Sequence, residues 1–366
     1  MTPVDEIRNQ LHRHPDVSGK EEFAHDLIVS ELQSLSPTAI HQHVGGYGVI
    51  AYWSSDDDKA STLAFRADID ALPTGHRCGH DGHTAILLAF ARIVDSCKLQ
   101  HNILLVFQPE EETGRGAKKI VASGLLQQYG VKAVFGLHNL PGYPMGTVVL
   151  NPHTFAAASC GVIYRYIGRS THASTPEKGI SPAMAVASLI QRMDALNRKG
   201  STIDLFRQST LICCRVGEEA FGTAAGKGEV MFTLRAFTNS SMADLMRLAD
   251  ATAIDVLQSK SKLGCQEPLE LEKQVREPFR ATENTPELVA QLHRIFDGEF
   301  DIVQTKTPFR WSEDFAEYLT VFPGAFFGIG SGEKQPELHN PAYNFPDDLI
   351  GIAARCFELI MKKISI

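Results

Sequence analysis

The sequence predicts a mixed α/β protein, in which a smaller α+β domain is inserted into a domain built on a mostly parallel sheet. From about residue 47, strand-like and helix-like segments alternate regularly. After about residue 158 the order changes to strand, helix, strand, strand, helix, strand, and α/β character returns after about residue 274. The chain has 366 residues, which is enough for two domains at about 100 to 200 residues each.

The first domain is predicted from short β-branched and aromatic runs that are separated by helical patterns. Strands bounded by helices of about 10 to 15 residues indicate βαβ units, with helices on both faces of the sheet. Sheets of this kind bind ligands beyond the carboxyl ends of their strands. The predicted strands are residues 49–53, 62–66, 102–108 and 133–137, and the predicted helices are residues 84–96 and 116–128.

The inserted domain is predicted from alternating strands and two capped helices. Ser181 and Pro182 begin the first helix as N-cap and first-turn proline, and Asn239 begins the second. The order β-α-β-β-α-β is typical of a ferredoxin-like unit with two helices on a four-stranded sheet. The predicted strands are residues 161–167, 209–216, 229–237 and 268–273. We therefore expect one domain at residues 159–273 and a discontinuous one at residues 1–158 and 274–366, completed by a helix at 286–296, a strand at 324–329 and a helix at 347–363.

Composition and charge favour a small-molecule ligand. The 35 basic and 43 acidic residues give a net charge of −8, which argues against binding nucleic acid or an anionic membrane. The most apolar stretch, residues 84–94, contains Arg92 and is too short to span a bilayer, and no secretory signal begins the sequence. The seven scattered cysteines are typical of reduced thiols, so we expect a cytoplasmic protein.

Residues 76–83 contain a thiol and three imidazoles immediately before a predicted helix. Cys78 and His80 are two residues apart and could bind one divalent ion, with Gly79 and Gly82 permitting a tight backbone. The alternative is a surface loop that happens to contain three histidines.

Further candidate ligands follow the next strands. Glu110, Glu111 and Glu112 come after the strand 102–108, and His138 ends the strand after it. Adjacent carboxylates can divide metal binding and proton transfer between them, although an acidic run is commonly a solvated turn and a strand-end histidine is commonly structural. His339 lies in the part of the chain that returns to the first domain. The pair Glu313 and Asp314 could support a metal ligand, contact the substrate or cap a helix, and we favour the structural role.

Taken together and in order, these motifs resemble the M20 metallopeptidases, in particular the aminoacylase-like branch of N-acyl-amino-acid, hippurate and auxin-conjugate hydrolases. The matching motifs span nearly the whole chain. They are Leu11-His12-Arg13-His14-Pro15, Arg66-Ala67-Asp68-Ile69-Asp70-Ala71-Leu72-Pro73, Cys78-Gly79-His80-Asp81-Gly82-His83, Gln108-Pro109-Glu110-Glu111-Glu112, Gly136-Leu137-His138, residues 168–172, Glu313-Asp314-Phe315 and His339.

The resemblance implies a role for each matched position. It implies that two divalent metal ions, Zn or Mn, are bound, that Glu111 is the general base for a metal-activated water, and that Asp81 orients a ligand. It also implies that the inserted domain is a lid, that its His172 stabilises the oxyanion, and that the lid joins two chains in a homodimer. The implied metal ligands are Cys78, His80, Glu112, His138 and His339.

Two departures from the family pattern concern substrate selection. Only residues 74–77 separate the Asp-Ala-Leu-Pro motif from Cys78, where the family carries a longer loop. In the lid, residues 221–226 read Phe-Gly-Thr-Ala-Ala-Gly, where the family has an Asn followed three residues later by Pro.

The predicted function is hydrolysis of the amide bond of N-acyl amino acids or similar small conjugates. A dipeptidase or aminoacyl-glutamate hydrolase of the same family is the enzymatic alternative. The third interpretation is a non-catalytic metal-binding protein. The presence of Glu111 argues against it, because a closed structural zinc site needs no additional base.

Overall fold

A computed structural model describes residues 2–198, 206–261 and 269–366. The chain divides into two compact units. The first unit comprises Met1–Phe155, Thr282–Lys306 and Glu313–Ile366, and the second comprises Ala156–Ala281 and Thr307–Ser312. The main segment of the second unit therefore begins three residues before the predicted start at residue 159 and ends eight residues after the predicted end at residue 273. The second unit also includes the short segment Thr307–Ser312.

The described residues form fourteen strands and ten α-helices. The strands are β1 Ala39–Val44, β2 Gly48–Trp53, β3 Thr62–Asp68, β4 Asn102–Gln108, β5 Val131–Pro141, β6 Val148–Leu150, β7 Ala158–Ile167, β8 Thr171–His172, β9 Arg207–Val216, β10 Thr223–Ala224, β11 Lys227–Ala236, β12 Glu270–Phe279, β13 Ile302–Gln304 and β14 Gly324–Gly332. The helices are α1 Val4–Arg13, α2 Glu22–Gln33, α3 His80–Ser96, α4 Gly116–Ala122, α5 Leu125–Gln128, α6 Ala183–Asp194, α7 Asn239–Ser261, α8 Pro286–Phe296, α9 Ala316–Leu319 and α10 Asp348–Lys363.

The first unit is built on an eight-stranded sheet with the order β1-β2-β4-β3-β5-β14-β6-β13. Strands β3 and β4, β3 and β5, β5 and β14, and β6 and β13 pair in parallel, while the other neighbours are antiparallel. The prediction of a mostly parallel sheet is confirmed. Because β3, β4 and β5 run in the same direction, their carboxyl ends lie at one edge, where Asp68 is in register with Gln108.

A large apolar core holds the helices against this sheet. β3 is buried along its whole length, as expected for a strand covered on both faces. The ring of Phe65 on β3 contacts Phe90 of α3 at 4.7 Å and Phe357 of α10 at 5.2 Å between ring centroids. This packing fixes α3 on the sheet and therefore fixes the position of its first turn.

The second unit contains a four-stranded antiparallel sheet with the order β12-β7-β11-β9. The helices α6 and α7 pack against it around buried residues such as Leu189, Phe232 and Leu245. This is the predicted ferredoxin-like arrangement. The last strand was predicted at residues 268–273, but β12 runs from Glu270 to Phe279, and position 268 lies outside the described residues.

The prediction of a single helix over residues 116–128 is wrong, because the chain forms two short helices there. Gly124 adopts a left-handed φ of 77° and separates α4 from α5. Glycine adopts this conformation without the steric cost that a Cβ atom would bring, so a helical pattern that contains it can end there. None of the helices among the described residues is long and apolar enough to cross a membrane.

Candidate active site

The predicted metal ligands of the first unit gather at the carboxyl ends of its parallel strands. Glu112 follows β4, and His138 lies in β5. Cys78 precedes Gly79, the N-cap of α3, which has a φ of 99°. A Cβ atom at Gly79 would lie 2.6 Å from Oδ1 of Asn139, so glycine is required for the chain to turn into the helix here.

The five side chains converge on one small volume. The Sγ of Cys78 lies 3.6 Å from Nε2 of His138. The Oε1 of Glu112 lies 3.9 Å from Nε2 of His80 and 3.9 Å from Nε2 of His339. Ligand atoms of Cys78, His80 and His138 all lie within 4.8 Å of one another, and so do those of Cys78, Glu112 and His339. The two groups share Cys78, so the structure brings all five predicted ligands into one cluster.

Two of the histidines are held with the same ring nitrogen facing the cluster. Nδ1 of His80 donates to the carbonyl oxygen of Asp70 at 2.9 Å, and Nδ1 of His138 donates to the carbonyl oxygen of Asn139 at 2.9 Å. A proton on Nδ1 leaves the lone pair on Nε2, which is the usual arrangement of a metal-binding imidazole.

Two buried polar atoms in the cluster support metal binding independently. Nε2 of His80 and Oε1 of Glu112 are buried and have no hydrogen-bond partner among the described residues. Leaving a buried acceptor unpaired costs about 1 to 3 kcal/mol, and a cation between these atoms would remove that cost. The sulfur, nitrogen and oxygen donors fit zinc or manganese.

Burial also changes the proton affinity of the acidic groups. It raises the pKa of the Cys78 thiol, and it raises the pKa of Glu112 to about 7, against the opposing charge of His80. A bound cation would favour the charged forms of both groups and reverse these shifts.

Glu111 lies beside the cluster, and its side chain is 8% exposed. Its Oε2 is 3.9 Å from Nε2 of His80, and its Oε1 accepts a long hydrogen bond of 3.4 Å from the backbone N–H of Asp314. Burial raises the pKa of Glu111 well above its usual range, and the charges of Glu313 and Glu112 add to the effect. Glu111 is thus a carboxyl group with a high proton affinity at the edge of the cluster.

A buried network centred on Arg66 supports the strand ends. Its guanidinium lies 2.8 Å from Asp68, 2.8 Å from Asp314 and 3.0 Å from Glu313. Although burial opposes the charge, Glu313 and Asp68 raise the pKa of Arg66. Asp314 also accepts hydrogen bonds from Gln108. The pair Glu313 and Asp314 is therefore held in place by contacts with Arg66, and Asp314 also by Gln108.

The role expected for Asp81 is wrong. Its carboxylate is 2.8 Å from Nδ1 of His12 and accepts hydrogen bonds from Arg8 and from the backbone of Gly82, and none of these is a predicted ligand. The reason is geometric, since Asp81 follows His80 on α3 and faces the first helix of the chain.

Sequence reasoning gave no role to Asp70, which contacts both a predicted ligand and the backbone of another. Its carbonyl oxygen holds His80, and its Oδ2 accepts the backbone N–H of Glu112 at 3.1 Å. The signal was present, because Asp70 stands in one of the matched motifs. His83 is excluded as a ligand because both of its ring nitrogens are hydrogen-bonded, to Asp68 and Asn139, at 2.6 Å each.

His172 lies in the second unit, on the two-residue strand β8, where it pairs with Thr223 of β10. The side chain is exposed. Its Nδ1 accepts the backbone N–H of Ser174 at 3.1 Å, so the neutral ring carries its proton on Nε2, which is available as a donor.

The chain is similar to known proteins over nearly its whole length. The chain is 28% identical to an uncharacterized hydrolase of Staphylococcus saprophyticus over 391 aligned residues, which cover 99% of the chain and 97% of the relative. It is 29% identical to the IAA-amino acid hydrolase ILR1-like 2 of Arabidopsis thaliana over 379 aligned residues, covering 95% of the chain and 82% of that relative.

The fold is shared with a solved structure. A Bacillus subtilis protein described as a dinuclear metal binding peptidase from the M20 family superposes with a TM-score of 0.80 and 23% identity, over 99% of this chain and 98% of that one. The family model for peptidase family M20/M25/M40 matches residues 64–363. The chain therefore belongs to peptidase family M20/M25/M40 and is a hydrolase of amide or peptide bonds.

Proposed function

We propose that the protein is a di-metal amidohydrolase that cleaves the amide bond of N-acyl amino acids or similar small conjugates, releasing a carboxylate and a free amine. The observation that carries the proposal is the cluster of five metal-type ligands with a sixth group, the carboxylate of Glu111, at 3.9 Å from Nε2 of His80. The similarity to a relative named as an IAA-amino acid hydrolase supports the choice of an amino acid conjugate.

The two ions, zinc or manganese, would be held by the five clustered side chains, Cys78, His80, Glu112, His138 and His339. When bound, divalent ions of this kind polarise a carbonyl group and make water acidic enough to ionise near neutral pH.

Glu111 is the general base in this proposal. Its carboxylate takes a proton from the attacking water and later delivers that proton to the departing amine, so that the residue ends the cycle in its starting state. Its position next to His80 suits this role, because the carboxylate faces the cluster without being needed as one of the five ligands.

His172 is proposed to donate a hydrogen bond from Nε2 to the oxyanion that forms at the substrate carbonyl. The N–H of Ser174 supports this by fixing the ring tautomer. We further propose that the second unit is a lid, that two chains associate through it as a homodimer, and that the enzyme is cytoplasmic. The free thiols of six cysteines among the described residues suit a reducing compartment.

The proposal is tested by the variant Glu111→Gln, assayed with Zn or Mn on N-acetyl and N-benzoyl amino acids. Loss of a general base lowers kcat by about 10²- to 10⁴-fold, while metal content stays at the parent level because Glu111 is not a ligand. The matched control is Glu287→Gln, which removes an exposed carboxylate at the start of α8 and is expected to leave the rate unchanged.

Two outcomes would contradict the proposal in different ways. A Glu111→Gln variant as active as the parent would remove Glu111 from its role. Faster hydrolysis of dipeptides or aminoacyl-glutamates than of any N-acyl amino acid on the same panel would move the assignment to the peptidase alternative, which uses the same site.

A further inference from the structure

The loop that carries Glu111 and Glu112 has an unfavourable backbone conformation at its first carboxylate. Glu110 adopts a φ of 53°, in the left-handed region that costs a non-glycine residue free energy. The two residues after it supply the proposed base and one proposed ligand, so a change at Glu110 would move both. Contacts that hold Glu110 in this conformation therefore bear on the proposed site.

One of those contacts comes from a distant, fully buried carboxyl group. Oε1 of Glu21 accepts the backbone N–H of Glu110 at 2.9 Å and the backbone N–H of Gly19 at 2.8 Å. The side chain of Glu21 is 0% exposed. The same N-terminal segment makes a second contact, because Ser18 donates to Oδ2 of Asp70 at 2.6 Å, the oxygen that also accepts the N–H of Glu112.

The burial of a carboxyl group at Glu21 is not explained by an ion pair that would stabilise it. Within the described parts of the chain it forms no ion pair with a lysine, arginine or histidine, and its Oε2 is buried without a hydrogen-bond partner. Burial raises its pKa to about 7 even though the N–H groups of Gly19 and Glu110 oppose the change. An apolar side chain of similar size would avoid this cost, so the carboxyl group has a role that needs an acceptor oxygen at this point.

We infer that Glu21 is a positioning residue: its Oε1 holds the backbone of Glu110 and thereby fixes Glu111 and Glu112 toward the proposed metal site. This inference rests on the proposed function and deepens it by assigning a residue 89 positions away from Glu110 to the support of the site. Glu21 touches neither ion nor substrate, and it acts only through the loop.

The test compares Glu21→Ala, which removes the acceptor, with Glu21→Gln, which keeps a carbonyl oxygen in its place. Affinity for Mn²⁺ is measured by competition with a chelating dye, and kcat and KM are measured at saturating metal. Loss of an outer-shell support lowers metal affinity or activity by about 10- to 100-fold. We expect this loss in Glu21→Ala for both Mn²⁺ affinity and kcat, with KM little changed, and we expect Glu21→Gln to stay within about threefold of the parent.

The control for general loss of stability is Leu32→Ala, which empties a buried site near the other end of α2, eleven residues from Glu21. It should lower the melting temperature without lowering metal affinity. If Glu21→Ala does not fold, Glu21→Asp gives the same test, because the shorter side chain keeps the charge but no longer reaches the N–H of Glu110.

The inference is overturned if Glu21→Ala, or Glu21→Asp in its place, binds Mn²⁺ as tightly as the parent, or if Leu32→Ala loses affinity equally. It is also overturned if Glu21→Gln loses as much Mn²⁺ affinity and kcat as Glu21→Ala, since an acceptor oxygen at this position would then not be sufficient to support the site. A parent enzyme that binds two ions but hydrolyses nothing on the panel would overturn the proposed function alone, and the affinity comparison would still decide the role of Glu21.

Discussion

Replacing Arg66 by methionine tests whether the buried network supports the strand ends that carry the site. The Arg66 side chain is 0% exposed and lies within 3.0 Å of Asp68, Glu313 and Asp314, which are themselves at most 2% exposed. The variant Arg66→Met keeps an apolar stem of similar length but leaves three buried carboxyl groups without their shared cation. We expect this to be among the most destabilising single changes in the first unit.

The expected size of the effect follows from the burial of both partners. Removing one member of a buried ion pair costs about 3 to 5 kcal/mol. For a domain of about 150 to 250 residues, each kcal/mol lowers the melting temperature by about 2 to 4 °C, so the transition of the first unit should fall by about 6 to 20 °C. The double variant Arg66→Met/Glu313→Gln should recover part of the loss, because it removes one of the unpaired charges.

The measurement is thermal unfolding at neutral pH, with Arg13→Met as the matched control. Arg13 forms a 2.7 Å ion pair with Glu6 in which the side chains are 62% and 46% exposed, and exposed pairs contribute about 0 to 1 kcal/mol. If Arg66→Met changed the melting temperature no more than Arg13→Met, the network would not support the site as described.

Two further predictions concern particular positions. A Cβ atom at Gly82 would lie 2.3 Å from the ring of Phe345, whereas one at Gly351 of α10 would meet nothing within 4 Å. Gly82→Ala should therefore lower the free energy of unfolding by about 1 to 3 kcal/mol, and Gly351→Ala should raise it by about 0.5 to 1 kcal/mol. If chemical denaturation showed both variants changing stability in the same direction, the described packing of α3 against Phe345 would be refuted. Burial raises the pKa of Glu21 from 4.5 to about 7, so the folded state binds more protons than the unfolded state between these values and stability falls as pH rises through this window. The stability of Glu21→Gln relative to the parent should accordingly rise by up to about 3 kcal/mol between pH 5 and pH 8, and a pH-independent difference would show that this carboxyl group does not titrate in that range.

The parts of the fold that sequence reasoning located were those with strong local patterns. The strand at 102–108 and the helix at 286–296 have the predicted bounds, because an apolar run and a proline-started amphipathic pattern define them without help from the rest of the chain. The helix α1 was not predicted, although Ile7 and Leu11 lie four residues apart on its buried face. Its apolar stripe is narrow and interrupted by charges, so its helical state depends on packing against α3.

The candidate site likewise contains residues that a sequence motif identifies and residues that only the folded structure identifies. Cys78, His80, Glu111 and Glu112 stand in short motifs whose chemistry can be recognised in sequence. The residues that support them are found only through tertiary contacts, as Asp314 is 248 positions from Arg66 and Glu110 is 89 positions from Glu21. No periodicity or spacing rule links residues so far apart. Asp81 shows the converse case, since the family resemblance implied a role in orienting a ligand, whereas its side chain contacts Arg8 and His12 of α1.

Locating the metal ions would give the strictest test of the proposed di-metal site. Crystals of the protein loaded with Zn or Mn should give two anomalous peaks within bonding distance, about 2.0 to 2.4 Å, of the sulfur of Cys78, Nε2 of His80, His138 and His339, and the carboxylate of Glu112, with Glu111 outside both coordination shells. A single ion enclosed by four of these side chains, or peaks at another place in the protein, would contradict the account.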